Sequence, residues 1–243
     1  MDIHKPKPWH GVREFLKEYL TIVVGVLTAL AAEAVVENLH EHRLSAEARE
    51  AVRGEIATDL GWMQQRRNEQ QPCIDRRLDE LSAILDAARE GQPQPVVRWV
   101  GRVMNQPVVS RRWAAASQAG RTALFNSEEQ ASYASIYFVL DGFATRQEEE
   151  QQTWPALRAL EGAKTLSPQM IWGLSEALQK ARMENYLVKR STDRAFASAK
   201  VLGIAPAASP HNAADLAVPP ACVPIDTDRA AALALIRNPS GEP

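Results

Sequence analysis

The chain has 243 residues, 45% of them apolar and 24% charged, which is enough to bury a sizeable core and excludes a wholly disordered or collagen-like polymer. With 28 Lys and Arg against 30 Asp and Glu the formal net charge is −2. That balance argues against nucleic acid as a partner, because phosphate binding needs a concentrated cationic face. Two cysteines exclude a disulfide-scaffolded miniprotein and a four-thiolate zinc site.

The first element is an apolar run, Tyr19 to Val36, reading YLTIVVGVLTALAAEAVV with Glu33 as its one charge. As a helix it spans about 27 Å, close to the hydrocarbon thickness of a bilayer. Unlike an amphipathic core helix, Ile22 through Leu30 is apolar on every side apart from Gly25 and Thr28, so a transmembrane helix is expected. Small-x-small triplets at Ala29-Leu30-Ala31 and Ala32-Glu33-Ala34 fit signal-peptide cleavage. The lead-in is long, however, and carries Asp2, Glu14 and Glu18, and no helix breaker follows Ala34. A retained anchor running on into a long helix is the reading these features favour. Lys5, Lys7, Arg13 and Lys17 precede the span and Arg43, Arg49 and Arg53 follow it, with Trp9 and His10 suited to the interface. The basic bias places residues 1–18 in the cytoplasm, 19–36 in a bacterial inner membrane, and the rest in the periplasm. Thr21, Gly25 and Ala29 stack at intervals of four, a ridge of small residues extended by Glu33, and predict close approach of another transmembrane helix.

The stretch REFLKEYLTIVVGVLTAL, Arg13 to Leu30, resembles the opening of an uncharacterised family of bacterial single-pass, N-terminally membrane-anchored proteins, in which a similar apolar helix precedes a long charged one. Trp113, Tyr133 and Trp154 are spaced as in that family. The resemblance implies an anchor and carries no activity with it.

Beyond the span, Leu44, Ala48, Val52, Ile56, Leu60 and Met63 recur at helical spacing, and Pro72 is expected to end that helix. Ile74, Leu78, Leu81, Leu85 and Ala88 form a second stripe, stopped by Gly91 and Pro93. The simplest arrangement is an antiparallel hairpin turning at Asn68–Pro72. Short helices are predicted at Val97–Met104 and at Arg111–Ala119, the latter capped by Ser110 and stopped by Gly120. Ser127-Glu128-Glu129-Gln130 matches a capping box and opens a helix with Tyr133, Ile136, Tyr137, Leu140 and Ala144 inward. The polar run Arg146–Gln152 either bridges in solvent or breaks that helix before Trp154. Ser167 and Pro168 suit the cap and first position of the next helix. Its seam alternates three and four through Leu174, Leu178, Ala181, Asn185 and Val188 as far as Leu202, with Gly203 closing it. Asn185 falls where one buried amide sets register. Packing within a bundle is favoured over a homomeric coiled coil.

Residues 37–203 therefore read as an extracytoplasmic helical domain and residues 204–243 as a Pro/Ala-rich tail, ending in a short helix from about Asp228 to Arg237 capped by Thr227. The fold class expected is all-α. Because both cysteines lie beyond the span, Cys73 and Cys222 are expected to form a disulfide pinning this tail; a cytoplasmic placement would instead leave two free thiols.

None of the five histidines (His4, His10, His40, His42 and His211) joins a nucleophile signature, and no P-loop, zinc-protease motif or dinucleotide loop occurs. Glu37-x-x-His40 has the spacing of a di-iron half-site, but no second copy exists. With Glu33 and Glu41 it reads as interfacial polar residues. No catalytic residue, metal ligand or cofactor is expected. The function expected is that of a non-enzymatic subunit that binds a protein partner, or a second copy of itself, in a membrane complex. A periplasmic ligand-sensing domain is the alternative, and a metal-dependent enzyme comes third.

Overall fold

The computed structural model describes residues 11–208 and 218–236, an all-α chain with no strand among them. Lys5, Lys7, Trp9 and His10, four of the nine residues behind the orientation, lie outside the described residues, as do His4 and His211. The helices are α1 (Val12–Gln65), α2 (Gln71–Arg89), α3 (Arg112–Gln118), α4 (Ser127–Leu157), α5 (Pro168–Val201) and α6 (Arg229–Ile236).

The expected hairpin at Asn68–Pro72 does not form. Helices α1 and α2 are one continuous helix of 78 residues, Val12–Arg89, joined by a π-helical turn at Arg66–Gln70. A proline ring clashes with the carbonyl four residues back and lacks the N–H that a normal turn needs. The wider turn relieves both demands, so Pro72 enters at the start of α2 without breaking the axis. It also rotates Arg66, Gln70 and Gln71 inward, and all three are buried.

Helix α1 is exposed from residue 12 to residue 43 apart from half-buried Val23, and recurrent burial begins at Leu44 and Ser45. From there its stripe (Ala48, Val52, Ile56, Leu60, Met63) packs on Tyr133, Ile136, Tyr137, Leu140 and Phe143 of α4 and on Val188, Ala195 and Ala199 of α5. Ile74, Leu78, Leu81 and Leu85 of α2 continue the core toward the far end with Trp154, Leu174, Leu178 and Ala181. Arg49 meets Glu129 and Arg66 meets Glu150, so α4 runs parallel to the long helix. Arg53 reaches Leu202 and Arg182 reaches Asp79, so α5 runs antiparallel. The product is a three-helix bundle standing at the end of the membrane-length segment.

Between α2 and α3 the helix expected at Val97–Met104 is absent. Residues 92–110 form an irregular strap running back along the bundle, with Val97, Trp99, Val100 and Val103 buried. Pro93, Pro95 and Pro107 disfavour helix here. A buried strap has backbone groups that must be satisfied, and buried polar side chains do so. Arg77, 0% exposed, donates to the carbonyls of Trp99 and Val100 at 2.7 and 2.6 Å. Arg66 donates to the Met104 carbonyl, Gln147 accepts from the Gln106 N–H and donates to its carbonyl, and Asp59 accepts from the Val109 N–H at 3.1 Å.

The caps differ from expectation in detail. Asn126, not Ser127, caps α4, its Oδ1 accepting from the Glu129 N–H at 2.8 Å. Ser110 does not cap α3; Glu55 of α1 accepts from the N–H groups of Arg111 and Arg112 instead. Ser167 caps α5 as its sequence suggests. The polar run Arg146–Gln152 neither breaks α4 nor bridges solvent: the helix is continuous, and Gln147 and Glu150 are buried because they serve the strap and Arg66. At α6 the first helical carbonyl belongs to Asp228, which accepts from Ala232, rather than to Thr227.

Gly101 shows how tightly the tail sits on the strap. Its φ is +82°, and a Cβ added there would lie 2.5 Å from the Pro220 carbonyl oxygen. Gly101→Ala should cost about 2 kcal/mol or more, from left-handed backbone and displaced tail together. Gly54→Ala, in an open helical position, should be neutral or stabilising by up to about 1 kcal/mol. Paired thermal melts of the two variants check this contrast.

Candidate functional site

The segment predicted to cross the membrane is the one described helix long and apolar enough to do so, and none of its apolar window is buried. Thr21, Gly25, Ala29 and Glu33 are all exposed on it. The Thr21 hydroxyl donates to the Lys17 carbonyl at 2.9 Å, and a Cβ at Gly25 would meet nothing within 4 Å. The ridge thus touches no other part of the described chain. Glu37, His40 and Glu41 are exposed as well, and among the described residues no group of three or more His, Cys, Asp or Glu is placed to hold a metal ion.

Leu174, Leu178, Ala181, Asn185 and Val188 are all buried along the inner face of α5. Asn185 is the polar centre of the seam. It accepts from Gln71 at 2.6 Å and donates to Asp75 at 2.7 Å, while Lys189 reaches the second Asp75 oxygen at 2.9 Å. Burial pushes the Asp75 carboxyl up, but the hydrogen bonds from Lys189, Asn185 and Gln71 outweigh it and hold the group below its ordinary range. The bonds that Asn185 and Lys189 make to Gln71 and Asp75 lock α5 against α2, as the seam requires.

Cys73 at the start of α2 and Cys222 in the tail are bonded at 2.07 Å, 149 residues apart in sequence. Around the bond, Arg77 donates to the Val223 carbonyl and the Trp99 indole N–H donates to the Pro220 carbonyl at 2.9 Å. Val223, Ala232 and Ile236 then close over Trp99 as a small separate core.

Several clefts indent the bundle, two of them of about 770 and 570 Å³. One, about 770 Å³, lies at the end far from the membrane-length segment and is lined by Leu166, Ile171, Trp172 and Arg89 among others; Trp172 is 76% exposed. The other, about 570 Å³, lies beside α1 under the strap, with Glu55, Asp59, Trp62, Pro107, Val109 and Arg112 in its lining. Asp59 is 2% exposed, and its Oδ2 has no hydrogen-bond partner. One turn earlier, Glu55 Oε1 accepts from the Tyr137 hydroxyl at 2.7 Å as well as from the N–H groups of Arg111 and Arg112. Burial, and to a lesser degree the Glu55 charge, raise the Asp59 carboxyl to about 7 against the opposing Val109 hydrogen bond. Burial and the same two carboxylates push the Tyr137 hydroxyl up.

None of these cleft residues stands out by motif. The available signal was periodicity: Asp59 falls three residues after Ile56 and beside Leu60, on the face of α1 that the apolar stripe marks as inward. A raised carboxyl means that the folded chain holds a proton that the unfolded chain releases. Asp59 therefore favours folding most below about pH 4 and loses that contribution as pH rises to about 7. Asp59→Asn should remove this slope and raise stability at pH 8 by up to about 4 kcal/mol. The check is the difference in urea midpoints of the two proteins across pH 4–8, which should widen with pH and then level off.

Comparison of the chain with family models, with curated proteins and with solved structures finds no match.

Proposed function

We propose that the protein is a bitopic, non-enzymatic subunit of a bacterial inner-membrane complex, with residues 1–18 in the cytoplasm and a periplasmic helical bundle that binds or scaffolds a protein partner. The observation that carries this reading is the unbroken helix Val12–Arg89. Because membrane-length segment and bundle share one axis, displacement or association at either end is transmitted mechanically to the other. From Val36 to Arg89 that axis extends about 80 Å. Pairing of Cys73 with Cys222 fits an oxidising compartment, and the likeness of Arg13–Leu30 to anchored bacterial proteins agrees with it. Trp172, Met183 and Tyr186, all more than half exposed on the outer side of α5, are residue types enriched where proteins meet. Cross-linking in native membranes followed by mass spectrometry tests the reading: reproducible cross-links from the bundle to one membrane-complex protein or to a second copy are expected, and an un-cross-linked monomer throughout would overturn it.

The exposed ridge gives a second handle on assembly. Gly25→Leu should reduce transmembrane association several-fold in a membrane two-hybrid assay, whereas Val24→Leu, off the ridge, should not. Equal association of both variants would remove the ridge as a contact.

A further inference from the structure

The cleft beside α1 has a floor that lacks a counter-charge. Asp59 is almost wholly buried, one of its oxygens has no donor, and no Lys, Arg or His makes an ion pair with it among the described residues. Such a group is costly to bury. The charge of Glu55, one turn away, makes matters worse, since it is also acidic. The donors to Glu55 converge on Oε1, which leaves Oε2 unused. At the rim stands Arg112, exposed, with no ion pair among the described residues. Trp62, Pro107 and Val109 supply apolar wall between the two poles. The volume, about 570 Å³, is within the range of small-molecule sites.

We propose that this cleft binds a small zwitterion, an aminocarboxylate whose ammonium meets Asp59 and Glu55 and whose carboxylate meets Arg112. A terminal carboxylate torsion is soft, so rotation of Asp59 presents its unpartnered oxygen without moving the helix. An ammonium there supplies the missing donor and the missing charge together, and the Trp62 face adds cation–π attraction. A divalent cation is a poorer fit, because Asp59 and Glu55 are joined by no third His, Cys, Asp or Glu ligand among the described residues. The assignment does not depend on whether the bundle has a protein partner.

The test is calorimetric titration of the full chain in detergent with each of the twenty common L-amino acids at millimolar concentration. The strongest binder is then compared with its decarboxylated amine and its deaminated acid. At least one amino acid is expected to bind, its amine more weakly, and its acid not at all. Asp59→Asn should lower affinity at least tenfold. Arg112→Gln, at an exposed position that leaves the fold intact, should weaken the amino acid but not the amine. Because the ammonium keeps Asp59 ionised, binding near pH 7 should also release a proton, read from titrations in buffers of different ionisation heat; a purely structural Asp59 would not. Absence of binding by every amino acid, or equal affinity in wild type and both variants, overturns the proposal.

Discussion

Arg66→Met is expected to destabilise the bundle by about 3–5 kcal/mol, among the largest effects of any single change in this chain. Arg66 and Glu150 form an ion pair in which both side chains are essentially excluded from solvent, and the same guanidinium donates to the Met104 carbonyl of the strap. Removing the arginine leaves a buried carboxylate without its cation and a strap carbonyl without its donor, and both losses add to the cost. The double variant Arg66→Met/Glu150→Leu should recover most of the loss, because two apolar groups of similar volume need no partner. Urea denaturation followed by circular dichroism measures both. A single-variant cost under about 1 kcal/mol would mean that water reaches the pair.

Loss of the Cys73–Cys222 bond should cost about 5 kcal/mol on the chain-entropy account, because the loop it closes is long. For a domain of this size that corresponds to a fall in Tm on the order of 10 °C. The double Cys73→Ser/Cys222→Ser variant should remain folded in the bundle but expose its tail. Arg77 and the Trp99 indole still hold the backbone at Val223 and Pro220, so residues 218–236 should loosen rather than depart. Limited proteolysis should cut there first, in the variant and in wild type treated with reductant, and not in oxidised wild type. Cleavage at the same rate in all three would show that the bond does not hold the tail.

Much of the architecture follows from local rules alone. Apolar composition on all sides of Ile22–Leu30 marks a helix of membrane length, and alternation of three and four from Leu174 to Leu202 marks α5 and its inward face. Ser167-Pro168 marks the start of that helix. These features are set by hydrogen-bond geometry and periodicity within a few residues, so no tertiary information is needed to see them. What the chain does at Pro72 and from Gln92 to Ser110 is of another kind. A proline signals a break by default, and it is tolerated here because the inward turn lets Arg66 and Gln71 find partners across the bundle. Likewise the strap forgoes helix because Arg77, Arg66, Gln147 and Asp59 reach it from helices far away in sequence and satisfy its backbone. The cleft at Asp59 belongs to the same category, since its carboxylates come from α1, its hydroxyl from α4 and its far wall from the strap. A buried charge reads as a surface charge until its partners are placed beside it, and only the packing of distant segments places them.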